Sequence, residues 1–157
     1  MKSICIFCLF GVFLLMNGCV EDLEKETDEL TGRWENSFPD PDDSTSVLVL
    51  YYVMKSDATL EEGYLKRNLQ SGEEGYLFLA TSEYATKDGF IEFSDYTTFR
   101  SESESGNLEY IPKEELVRYG TPMSRKMSYK LLENNQVLSV YQGCPADFCY
   151  DVLYDKL

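Results

Sequence analysis

The stretch Ser46–Lys55, SVLVLYYVMK, consists mainly of β-branched, aliphatic and aromatic side chains, and its only charge is the final lysine. Such residues favour β-strands. The middle of the run is apolar at odd and even positions alike, so both faces of this strand are expected to be covered. Turn-forming residues flank it, Pro39–Asp43 before it and Ser56–Ala58 after it. The stretch therefore predicts a central strand in a β-rich domain.

Shorter strand-like segments separated by turns lie on both sides of this stretch. Lys87–Gly89 and Glu133–Gln136 are typical of hairpin turns. Glu61–Leu69 is compatible with a strand or a helix. Pro112–Tyr119 is predicted to be a helix, because it begins with proline and has two glutamates in its first turn. The other predicted strands are residues 33–38, 76–81, 90–93, 96–100, 108–111, 127–132, 137–141 and 148–154.

Eight to ten short strands with one short helix indicate an all-β fold. A single antiparallel up-and-down β-barrel is the expected architecture, and a β-sandwich is the alternative. The chain holds twelve tyrosines and nine phenylalanines, and small barrels fill their interior with such side chains. The same residues would also suit an aromatic pocket for an apolar ligand. A filled interior and a ligand pocket are therefore both compatible with the sequence.

The first eighteen residues are typical of a secretory signal peptide. Lys2 is the only charge before Glu21, and Ile4–Met16 is an uncharged apolar run. A membrane-spanning helix needs about twenty apolar residues, so this run suits a signal peptide better than a permanent span.

The residues Met16-Asn17-Gly18-Cys19 resemble the lipobox of bacterial lipoproteins, in which a leucine-like residue and two small residues precede a cysteine. The resemblance implies cleavage between Gly18 and Cys19, and acylation of Cys19 with palmitate-like chains that anchor the protein in a membrane. Two or more acyl chains anchor a protein stably, whereas one holds it only marginally. An ordinary signal peptide, cut elsewhere, is the alternative.

The expected organisation is a signal peptide at 1–18, a lipidated cysteine with an acidic tether at 19–31, and a barrel domain at 32–157. The expected location is the bacterial cell envelope, on the outer membrane rather than the inner one. The tether contains apolar residues at helical spacing, so a short helix and a solvated spacer are both compatible with it.

Charge and composition exclude several classes of function. The chain has 28 acidic residues, 14 basic residues and no histidine, for a net charge of −14. This charge opposes binding to nucleic acid and suits a basic protein partner. Without histidine, neither a His-based triad nor a His-ligated metal site can form. We therefore expect no enzyme and no cofactor.

The carboxylates of the acidic turn Asp40, Asp42 and Asp43 could supply oxygen ligands to calcium. The turn lacks the ligand spacing and the distal glutamate of a known calcium loop. A solvated turn is the preferred interpretation, and no metal site is expected.

Cys144 and Cys149 are the two cysteines that remain beyond Cys19. An even pair in an oxidising compartment favours a disulfide, here one that closes a short turn. Free thiols are the main alternative. A metal pair or a redox motif has less support, because the chain has no second cysteine pair there and no Cys-x-x-Cys spacing.

The residues Gly32-Arg33-Trp34 open the β-rich region and resemble the start of lipocalins and lipocalin-like barrels. The resemblance implies that Gly32 permits a close turn into the first strand and that Trp34 closes one end of the barrel. In that family an arginine from near the last strand packs across this tryptophan, whereas the last strand here carries Lys156.

The expected function is that of a membrane-anchored, non-enzymatic envelope lipoprotein that binds a small apolar ligand in its barrel. One alternative is a module that binds or inhibits a basic envelope or host protein. The other is a structural component of the envelope.

Overall fold

The computed structural model describes residues 29–101, 110–141 and 151–157. They form a closed β-barrel whose eight strands pair in sequence order, each antiparallel to its neighbours. The strands are β1 (Gly32–Pro39), β2 (Ser46–Met54), β3 (Thr59–Asn68), β4 (Glu74–Lys87), β5 (Phe90–Arg100), β6 (Val117–Leu132), β7 (Val137–Tyr141) and β8 (Asp151–Lys156). The predicted up-and-down barrel is confirmed, and the sandwich alternative is wrong.

Both faces of β2 are covered, as its sequence predicts. Tyr52 and Met54 face the barrel interior, where each is 1 % exposed. Val49 and Tyr51 point outward into a second apolar cluster with Leu65 of β3, and all three are 1 % exposed or less. Because successive side chains on a strand point to opposite faces, an apolar run at every position is the pattern of a strand buried on both sides.

The interior core is concentrated at one end of the barrel, which we call the Trp34 end. Trp34 of β1 is fully buried there, and the rings of Tyr52 and Tyr154 meet edge to face with centroids 4.9 Å apart. The turns 55–58, 87–89 and 133–136 lie at this end. The opposite end, which we call the mouth, carries loop 40–45 and turn 69–73.

The predicted helix at Pro112–Tyr119 is wrong over most of its length. Only Lys113–Glu115 is helical, as one 3-10 turn, and β6 begins at Val117. Val117 pairs with Arg100 of β5, and Leu116 packs against the outer apolar cluster. Pairing with β5 therefore overrides the local helix signals, since propensity is a weak preference that tertiary contacts outweigh.

Two other segments are more regular than the sequence predicts. The strands predicted at 90–93 and 96–100 are one strand, β5, whose pairing with β6 is irregular around Asp95. Asp95 has φ of 52°, so the turn-like Ser94–Asp95 pair forms a bulge inside a continuous strand. The ambiguous segment Glu61–Leu69 is a strand through Asn68.

The pairing of β6 with its two neighbours is unequal in length. Its contacts with β5 extend from Val117 to Ser128, whereas its ladder with β7 joins only Tyr129–Leu132 to Val137–Val140. Among the described residues, the first half of β6 is therefore paired on the β5 side alone. No helix in the described ranges has the length and apolar character needed to cross a membrane.

Candidate functional site

The Trp34 end is sealed by contacts between the two ends of the barrel domain. The Trp34 indole donates a hydrogen bond to the Leu30 carbonyl at 2.7 Å, and Leu30 is itself fully buried in the core. The Lys156 ammonium lies 4.9 Å from the centroid of the Trp34 ring and donates to the Glu29 carbonyl. A cation over an indole face is favourable. Lys156 thus occupies a position over the tryptophan ring.

Gly32 permits this arrangement. Its φ is 136°, which favours glycine, and a Cβ there would lie 3.0 Å from Cε of Lys156. Gly32, Trp34 and Lys156 therefore lie together at this end. Trp34, Leu30 and Tyr154 fill the interior at this end, so the barrel is closed here.

A charged pair lies inside the barrel above this core. Glu62 of β3 lies opposite Tyr52 and Ala80, two core residues, so it faces inward. Arg125 of β6 lies opposite Phe93, another core residue. The Arg125 Nη1 atom is 3.0 Å from Glu62 Oε2, and their side chains are only 30 % and 16 % exposed. We call these two residues the interior pair.

Two tyrosines form hydrogen bonds with the interior pair. The Tyr96 hydroxyl donates to Glu62 Oε2 at 2.8 Å, and the Tyr52 hydroxyl donates to Oε1 at 3.3 Å. Arg125 Nη1 also donates to the Tyr96 oxygen at 3.1 Å. The Glu62 carboxylate thus accepts hydrogen bonds from three side chains, as a buried charge requires.

The surroundings keep both tyrosines protonated. Burial, together with the nearby Glu62 carboxylate, raises the pKa of Tyr96 and of Tyr52 well above the usual value of a phenol. Burial also disfavours the charge of Arg125, but Glu62 and the two tyrosines outweigh it and raise the pKa of the guanidinium. At neutral pH both tyrosines therefore keep their hydroxyl protons and Arg125 keeps its positive charge.

The inward face of β6 becomes more exposed from the Trp34 end toward the mouth. Met127 is 4 % exposed, the Arg125 side chain 30 %, and Met123 57 %. Met123 lies opposite Tyr96, and Tyr119, 52 % exposed, lies opposite Thr98, which pairs in turn with the core residue Ala80. Cross-strand partners share a face of the sheet, so these apolar side chains lie on the interior side of the strand.

The mouth is polar on the β2–β4 side. Lys66 of β3 forms ion pairs with Asp40 at 2.7 Å and Asp43 at 2.9 Å. The rings of Tyr64 and Tyr110 stand edge to face nearby, with centroids 6.2 Å apart. The β6 side carries the apolar side chains Val117 and Met123 together with Tyr119, whose ring centroid lies 3.2 Å from the Arg100 guanidinium.

The acidic turn is occupied by donors from the protein. Asp43 accepts hydrogen bonds from the backbone N–H and hydroxyl of Thr45 and from the hydroxyl of Ser46, in addition to the Lys66 contact. These donors lower the pKa of Asp43 far below its usual range. No group of three or more metal-ligating side chains is found within 29–101, 110–141 and 151–157.

The outer wall near the Trp34 end carries two open grooves, one of mixed charge and one mainly acidic. One, of about 710 Å³, crosses β4, β5 and β6, and its lining holds both carboxylates and cations, namely Asp57, Glu83, Glu92, Arg125 and Lys126. The second, of about 470 Å³, lies beside turn 55–58 and shares Asp57 and Glu83 with the first, with Glu61 and Asp95 added. The negative charge of the chain is thus partly gathered on this wall.

The remaining residues singled out in the sequence lie outside the described ranges. They are Gly18, Cys19, Cys144 and Cys149. The interior pair was not predicted from the sequence, although the alternation of side chains in both strands indicates it. Glu62 falls between the inward positions Leu60 and Tyr64, and Arg125 between Met123 and Met127.

The chain was compared with protein-family models, with curated proteins and with solved structures, and none of the three comparisons found a match.

Proposed function

We propose that this protein is a lipid-anchored lipoprotein of the bacterial envelope whose barrel, without catalysing a reaction, holds a small and largely apolar molecule. The observation that supports ligand binding is the exposure gradient on the inward face of β6, from Met127 at 4 % to Met123 at 57 %. Large apolar side chains that face a barrel interior and remain open to solvent are typical of a ligand cavity.

The proposed site occupies the half of the interior near the mouth. Met123, Tyr119 and Val117 line it from β6, and Leu50 and Phe78, which are partly buried against the core, line it from β2 and β4. The interior pair forms its floor. The filled Trp34 end closes the site from below, so entry would be through the mouth.

A hydrocarbon dye tests this site directly. Diphenylhexatriene, which has no polar atom, should bind the purified protein with an increase in fluorescence. Met123→Glu should weaken this binding by about tenfold or more, because it places a charge against the apolar ligand.

Leu153→Glu is the matched control. Leu153 is 51 % exposed on the short strand β8, where its neighbours Val152 and Tyr154 contact the core, so its side chain points outward. Dye binding should be unchanged in this variant. Equal loss in both variants, or no loss in Met123→Glu, would show that the dye does not bind inside the barrel.

The membrane anchor is tested by intact-mass analysis of protein extracted from its own membranes. The proposal expects loss of residues 1–18 and added acyl mass, both absent from a Cys19→Ala variant. An unmodified mass, or cleavage at another bond, would contradict the anchor while leaving the ligand site unaffected.

A basic protein partner is the second candidate function. The mainly acidic groove beside turn 55–58 favours it, because a surface of one charge steers an oppositely charged protein toward it. If no apolar probe binds the barrel, binding of a basic protein becomes the favoured function.

A further inference from the structure

We infer that the interior pair is a polar anchor for the ligand, and that the ligand carries an uncharged oxygen acceptor, such as an ester or amide carbonyl, at the end that reaches Arg125. This inference rests on the proposed ligand site and specifies what that site selects. It follows from an imbalance between the donors and acceptors of the pair.

The acceptor side of the pair is fully used. Glu62 Oε2 accepts from Tyr96 and Arg125 at 2.8 and 3.0 Å. Its Oε1 accepts from Tyr52 and Arg125 at 3.3 and 3.4 Å. A carboxylate with donors at both oxygens has little capacity for a further donor, so a ligand hydroxyl or amine would gain little from it.

The donor side is not fully used. A guanidinium has five N–H groups, and Nη1 of Arg125 serves both Glu62 and Tyr96. Nη2 contacts the Met127 sulfur at 3.9 Å, and thioether sulfur is a weak acceptor. Within the described residues, neither Nη2 nor Nε of Arg125 has an oxygen acceptor. The pair therefore offers unmet donors to whatever enters the interior.

Charge favours a neutral acceptor over a carboxylate. The charge of Arg125 is already balanced by Glu62 at 3.0 Å. A ligand carboxylate would also be repelled by Glu62 and would enter a chain with net charge −14. A carbonyl oxygen accepts the same hydrogen bonds without the cost of desolvating a second anion.

The position of the pair matches this role. Arg125 lies on the inward face of β6 between buried Met127 and exposed Met123, at the boundary between filled core and open interior. An apolar ligand that lies along Met123 and Tyr119 would thus direct its inner end toward the guanidinium.

The test compares methyl decanoate with decanoate as competitors of diphenylhexatriene at pH 7.5. In the unaltered protein the ester should bind about tenfold more tightly than the acid. Arg125→Met should weaken the ester by about tenfold more than it weakens the dye, which is the loss expected for a hydrogen bond to a charged group. Lys126→Met is the matched control, because Lys126 lies beside Arg125 but pairs on the surface with Glu92.

Glu62→Gln should strengthen the binding of the acid, whereas Arg125→Met weakens the binding of the ester. Removal of the competing anion should tighten decanoate binding by about tenfold and leave the ester within about threefold of its original affinity. If Glu62 had a purely structural role, Glu62→Gln would weaken the binding of the dye, the acid and the ester together.

Arg125→Met leaves a carboxylate without its cation, which can itself destabilise the fold. The double variant Glu62→Leu with Arg125→Met removes both charges and should keep dye binding while losing the preference for the ester. If the variants without Arg125 bind the dye and their affinity for the ester is unchanged, Arg125 is not the polar anchor, and the proposed ligand site remains supported. Failure of both dye and ester to bind the unaltered protein would overturn both proposals.

Discussion

At the scale of single residues, the close approach of an aromatic ring explains why position 63 is occupied by glycine. A Cβ at this position would overlap the ring of Tyr51 and lie 2.6 Å from its hydroxyl oxygen. The ring cannot move aside easily, because it is 1 % exposed, lies 4.4 Å below the Arg33 guanidinium and donates to Glu61 at 2.8 Å. An aromatic side chain covers the glycine of the neighbouring strand, which also shields its backbone.

We expect Gly63→Ala to lower the free energy of unfolding by about 1–3 kcal/mol, the usual cost of overpacking, despite the gain from replacing a strand glycine. Denaturant unfolding measures this change. In a Tyr51→Ala background the ring is absent, so the same substitution should be neutral or stabilising. An equal loss in both backgrounds would show that Tyr51 is not the cause.

At the scale of elements, β6 differs most from its prediction. Sequence analysis divided it into a helix at 112–119 and a strand at 127–132, yet residues Val117–Leu132 form one strand of 16 residues. Its first ten residues are partly or fully exposed, so they lack the buried apolar alternation that marks a strand in sequence. Pairing with β5 supplies the order that local propensity does not.

The same exposure gives β6 its proposed functional role. Its last part lies between β5 and β7 and carries core residues, whereas its first part presents Met123 and Tyr119 toward the interior, where both remain more than half exposed and the Arg100 guanidinium stacks on the Tyr119 ring. One element therefore contributes both to the filled end of the barrel and to the proposed ligand site.

At the scale of the whole molecule, the carboxylates control the response to acid. Within the described ranges, the pKa is lowered for Glu35, Asp40, Asp43, Asp57 and Glu92. Glu35 is the most enclosed of these. Its burial alone would raise the pKa, but hydrogen bonds and charge from Arg67 and Arg33 outweigh burial and lower it.

A group with a lowered pKa stabilises the fold above its unfolded pKa, here near 3.8 for aspartate and 4.5 for glutamate, and this contribution is lost as the pH falls through the folded value. At the other extreme, burial raises the pKa of Tyr76 to about 12 and raises that of Tyr51, Tyr52 and Tyr96 further. These raised values contribute stability below pH 10, the unfolded value, that is lost as the pH rises.

We therefore expect the free energy of unfolding to change little between about pH 6 and pH 9 and to fall below about pH 4 and above about pH 10. Urea titrations across this range measure it. A rise in stability below pH 4 would contradict the expectation. It would mean that relief of the net charge of −14 outweighs the loss of the ion pairs.

Local patterns in the sequence determined the barrel class. The apolar run of β2 and the hairpin turns at 87–89 and 133–136 are properties of neighbouring residues, so they could be recognised without a structure. The roles of Gly32 and Trp34 at the start of β1 were predicted from the resemblance to lipocalins rather than from such patterns. The tertiary structure alone decided the extent of β6, the position of Lys156 over Trp34 and the pairing of Glu62 with Arg125. These depend on strand register, which joins residues 63 positions apart in the interior pair, and register is set by the packing of the whole barrel.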